Sequence, residues 1–146
     1  MLSTILNLLK GGSSDPLPDA DARLALGALA VRVGASADTS HALAIARTEA
    51  FLARMNGLGP VDAAKMRATC EKIEAEAPST RKFALLIRET VSMETRMEGL
   101  EALWHVLLAD GAPPGKADTG IAEQFRDALG LSKTHCEDAK ARAAPF

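Results

Sequence analysis

Two carboxylates, Asp110 and Asp118, flank a turn rich in glycine and proline, and oxygen donors gathered by such a turn are the groups that hold a divalent cation. A calcium-like ion takes about six or more oxygens, so the two acids would need turn carbonyls to complete the set. Lys116 lies between them and opposes a cation by its own charge. Asp110 also has a simpler use. An acid in the last turn of a helix meets the negative end of the helix dipole, and accepting backbone N–H groups from the following turn would favour it there. The sequence leaves both uses open.

A second group is His135-Cys136, early in the last helical segment, with Lys133 and Lys140 close in sequence. A thiol near a helix N-terminus and beside lysines has the setting of a reactive thiolate, and thiol redox chemistry is the function that would follow. The competing reading is a small packing residue. Cys70 falls within an apolar helical stripe and is read as core. His105 stands at helical spacing from Glu98 and Glu101, which suits a solvent-exposed ion pair. No phosphate-binding glycine loop, nucleophile elbow, HExxH pair or paired-carboxylate arrangement occurs, so the chain is read as non-enzymatic.

The elements that must position these residues are helices. Leu100, Leu103, Trp104, Leu107 and Leu108 share one helical face, Gly111 stops that helix, and Pro113 and Pro114 keep it from resuming. The next helix starts between Lys116 and Thr119, turns Ile121, Ala122, Phe125, Ala128 and Leu129 inward, and ends at Gly130. Upstream, Leu2, Ile5, Leu6 and Leu9 give a short amphipathic helix. A Gly/Ser/Pro linker completes residues 1–18. That helix can pack on its own domain, enter a partner's groove or rest on a membrane, and a membrane is the least favoured because only Lys10 supplies positive charge.

Residues 19–146 then form the domain. A helix from Asp19 or Asp21 carries Leu24, Leu26, Leu29, Ala30 and Val33. Thr39 or Ser40 caps one with Leu43, Ile45, Phe51, Leu52 and Met55 inward, closing at Gly57. Pro60 opens another with Val61, Met66, Cys70 and Ile73 inward, ending at Ala77-Pro78. Ser79 caps a helix bearing Phe83, Leu86, Ile87 and Val91, with Arg81, Lys82 and Arg88 as a solvated face. Ser92 caps the Trp104 helix and Ser132 the last one. The fold class is all-α, a single bundle of about seven helices.

The string Leu103-Trp104-His105-Val106-Leu107-Leu108-Ala109-Asp110-Gly111, with Ala128-Leu129-Gly130-Leu131-Ser132 downstream, resembles the "LWxVAxADG … LGLS" signature of the tellurite-resistance TerB-like family. The likeness reaches upstream to Arg96 and Glu101 and covers nearly the whole chain. It implies an all-helical domain, also found at the N-terminus of a DnaJ-like membrane co-chaperone. Members are linked to tellurite and other chemical stress, without established enzymatic activity and with a proposed metal site at the acidic turn. That site carries over onto Asp110; the acids that usually follow are replaced by Ala112-Pro113-Pro114-Gly115-Lys116, leaving Asp118 as the downstream carboxylate. A faint internal repeat sets Asp38 to Leu58 (58 − 38 = 20) beside Asp110 to Leu131 (131 − 110 = 21), which makes Asp38 the counterpart of Asp110.

A chain of 146 residues with 47% hydrophobic and 3% aromatic residues and no tyrosine suits closely packed helices. Its net charge of −2 offers no basic field for nucleic acid. Two distant cysteines without a CxxC suit free thiols in a reducing cytoplasm, and they do not support zinc. The expected partner is another protein, through which the chain would act as a stress-linked scaffold or sensor. The alternatives are a divalent-cation sensor at Asp110 and Asp118 and a redox protein at Cys136.

Overall fold

The computed structural model describes residues 2–11, 15–37 and 39–144. Eight helices are present among them: α1 (Leu2–Leu9), α2 (Asp19–Ser36), α3 (His41–Asn56), α4 (Pro60–Glu76), α5 (Thr80–Thr90), α6 (Met93–Leu107), α7 (Lys116–Leu129) and α8 (Lys133–Ala143). No helix among the described residues is long and apolar enough to cross a membrane.

Serine hydroxyls start four of these helices. Ser40, Ser79, Ser92 and Ser132 accept the N–H groups of Leu43, Lys82, Thr95 and His135 at 3.1, 3.4, 3.1 and 3.1 Å, each cap contributing about 1 kcal/mol. Ser132 belongs to a reciprocal box in which His135 Nδ1 accepts the Ser132 N–H at 3.2 Å. Glycine ends α3 and α7. Gly57 and Gly130 adopt left-handed φ values of 63° and 71°, and the next residues, Leu58 and Leu131, reach back to the carbonyls of Ala53 and Arg126. These matching ends are the carboxyl-terminal half of the expected repeat; Asp38 lies outside the described residues.

α2 is apolar nearly all round and is accordingly the central helix, packed against α1, α3, α4, α5, α6 and α7. At its middle, Gly27 allows close approach: a Cβ there would stand 2.6 Å from Cys70 Sγ and 2.7 Å from Leu52 Cδ2. Asp21, in the first turn of α2, is a buried carboxylate at the positive end of that helix's dipole. Phe51 and Phe125 meet edge to face at 5.7 Å between ring centroids. α1 folds back onto α4, α2 and α5 and buries Ile5 and Leu8.

Two expected core positions lie outside it. Leu43 is 41% exposed and Val61 is 68% exposed. Each stands nine residues before a fully buried one, Leu52 (52 − 43 = 9) and Cys70 (70 − 61 = 9). That spacing is about two and a half helical turns, which sets the side chain on the opposite face.

Candidate functional site

α6 ends at Leu107, earlier than Gly111, because the chain tightens: the Ala109 N–H donates to Val106 and the Gly111 N–H to Leu108. Gly111 takes a left-handed φ of 74° in the turn beyond. Asp110 therefore stands outside the helix, exposed, and its Oδ1 accepts the Ala112 N–H at 3.1 Å. Asp118, in the first turn of α7, receives Arg47 Nη2 of α3 at 2.8 Å, an ion pair with both side chains about one-fifth exposed. Each carboxylate thus has a partner of its own, and no group of three or more His, Cys, Asp or Glu able to hold a metal ion occurs among the described residues.

Trp104 is buried on the α8 side of α6. Its Nε1 donates to Cys136 Sγ at 3.4 Å, and Lys140 Nζ lies 5.2 Å from the ring centroid. A cation over an indole face contributes about 0.5–1 kcal/mol at a partly exposed site. Cys136 and Lys140, with Lys133 and Arg126, line a cleft of about 320 Å³ beside the ring. Cys70 is different: it is fully buried, and desolvation, with the charge of Glu71, pushes its thiol up to about 12.

His105 departs from the expected exposed pair with Glu98 and Glu101. Glu98 is held by Arg23 at 3.0 Å and Glu101 by Arg142 at 3.4 Å. His105 Nε2 instead accepts from Arg54 Nη2 of α3 at 2.9 Å, a contact open to the neutral imidazole alone. Burial first, then Arg54, pulls its pKa below the ordinary value, with Glu101 opposing.

What sequence reasoning missed is a set of arginines that close helix ends. Arg23 donates to Met55 O at the end of α3, and Arg32 to Pro78 O and, at 3.1 Å, to Glu74 O at the end of α4. Arg88 donates to Ala128 O at 3.1 Å and Arg96 to Leu129 O at 2.6 Å, both at the end of α7. Cations at carbonyl-rich helix ends satisfy unpaired acceptors and complement the dipole. Crowding at α7 is real: burial, then the like charge of Arg88, pulls the Arg96 pKa down. Arg88, expected on a solvated face, is a clamp. The clamps join segments 32 to 46 residues apart, and no local pattern marks such pairs.

Between α2, α5 and α7 two of these clamps, Arg32 and Arg88, frame an open cleft of about 650 Å³. Val33, Ala84 and Ala128 form its floor; Arg32, Arg81 and Arg88 stand on its walls; and Leu85, 52% exposed, stands at its edge. The arrangement can take an apolar group on the floor and an anion against the walls.

No curated protein and no solved structure matches the chain. A family profile does: "Tellurite resistance protein TerB" matches residues 23–141, from the first turns of α2 to the last turn of α8. It takes in the Trp104 helix, the Asp110 turn and the Gly130 helix end that carry the likeness in sequence. The chain therefore belongs to the TerB family of tellurite resistance proteins.

Proposed function

We propose that this all-helical TerB domain works without catalysis, as a stress-linked scaffold or sensor that acts through a protein partner. The observation that carries the reading is the open cleft between α2, α5 and α7, beside helix ends that Arg32 and Arg88 clamp, whose lining offers both apolar side chains and charge. Affinity capture from an extract of the native cell, followed by gel filtration of the purified pair, tests it. A partner that co-elutes in fixed stoichiometry is the expected result; capture that yields no pair able to survive filtration overturns it.

One observation favours a second reading, thiol chemistry: Cys136 lines a cleft together with Lys133 and Lys140. Iodoacetamide should then modify Cys136 well before Cys70, read by mass spectrometry of timed samples. Equal rates at the two cysteines would remove this reading.

A further inference from the structure

We infer that the cleft between α2, α5 and α7 receives an acidic, leucine-bearing segment of the partner protein. The inference rests on the protein-binding reading above and names the chemistry of what is bound.

Charge on the walls sets the sign. Among the described residues Arg81 makes no hydrogen bond or ion pair and the Arg88 guanidinium donates only to main-chain carbonyls, so neither charge is neutralised there by a carboxylate. Arg32 is paired with Glu74 at 2.9 Å. The one acid on the walls, Asp127, is taken by Arg126 at 2.5 Å. Arg81 also sits in the first turn of α5, whose positive dipole end adds to its field. The cleft is therefore locally cationic on a chain whose net charge is −2. A carboxylate suits it, because a guanidinium can bind both oxygens at once.

Shape sets the size. Small ligands are ordinarily enclosed over most of their surface. This cleft is open, with a leucine exposed at its edge, which suits a segment lying across it with aliphatic side chains on Val33 and Ala84 and acids toward Arg81 and Arg88.

The test uses the full chain and a fluorescein-labelled peptide with a leucine core flanked by glutamates, beside a counterpart with lysine at every glutamate. Arg81→Glu places an acid where the α5 dipole favours it, so the fold is kept, and a matching thermal melt checks this. By anisotropy, the glutamate peptide should bind the parent at least about tenfold more tightly than the lysine peptide and lose about tenfold on Arg81→Glu. Added salt should weaken it, and Leu85→Ser should weaken it at constant salt. Equal binding of the two peptides, or affinity unchanged by both substitutions, overturns the inference. So does laurate that binds the cleft and displaces the peptide at stoichiometric amounts, which would make the ligand a small anionic amphiphile. A captured partner that binds parent and Arg81→Glu alike overturns this site while leaving protein binding intact.

Discussion

The segment from Trp104 to Asp118 and the cleft between α2, α5 and α7 handle polar groups in opposite ways. In the first, Trp104 donates to Cys136, His105 is met by Arg54, Asp110 holds its own turn and Asp118 is paired with Arg47. In the second, Arg81 has no partner among the described residues and Leu85 is half in solvent. The contrast separates recognisability from availability. The segment that makes the chain identifiable uses its side chains to tie α6 to α8 and α6 and α7 to α3, whereas the surface free to meet another molecule is assembled from three helices with no motif of their own.

Five perturbations would sharpen or break that contrast. Trp104→Ala should have the largest effect, a loss of about 3–5 kcal/mol of stability, because it empties a buried indole site. Denaturant unfolding measures it, and a loss near zero would remove the structural reading of the signature. Gly130→Ala should cost about 1–3 kcal/mol, since the residue holds φ at 71° and a Cβ would meet Arg88 Nε at 2.8 Å. Its thermal midpoint should fall accordingly. Asp110→Ala should cost about 1 kcal/mol or less, the worth of one exposed hydrogen bond to the Ala112 N–H.

The same Asp110 turn can be titrated with calcium, magnesium, manganese and zinc. No shift in midpoint is expected, because a cation would have to displace Arg47 from Asp118. A rise that Asp110→Asn abolishes would give the turn a ligand of its own. The smallest effect is that of pH at His105. Its pKa is lowered in the folded chain, so folding favours the neutral ring; the contribution is complete above the unfolded value of about 6.5 and is lost as pH falls below it. Arg54→Ala should lessen that acid-side slope in a series of melts.

The features legible in sequence were local ones. Serine caps and glycine ends are fixed by neighbours three or four residues away, so Ser40, Ser79, Ser92, Ser132, Gly57 and Gly130 took the places their types demand. Continuous stripes such as Ile121 to Leu129 were equally readable. Leu43 and Val61 were misread because apolar type outweighed phase at the start of a helix. The pairs Arg47–Asp118, Arg54–His105 and Gly27–Cys70 depend on how distant helices cross, and the pattern within each helix carries no record of that. The cleft was illegible for the same reason: Arg32, Arg81 and Arg88 share a site only after α2 and α5 have met α7.

The arginine clamps also bear on time. Each joins a helix end to a segment more than thirty residues away, so it can close only after the long intervening loop has been ordered, whereas the helices themselves form from near neighbours. If the clamps close that late they are missing from the folding transition state, and weakening them is then expressed in the rate of unfolding. Replacing Arg88 or Arg96 by lysine, which keeps the charge and loses the planar fork, should therefore leave the refolding rate nearly constant and shorten the lifetime of the folded chain. The clamps set how long the bundle lasts once it has been made.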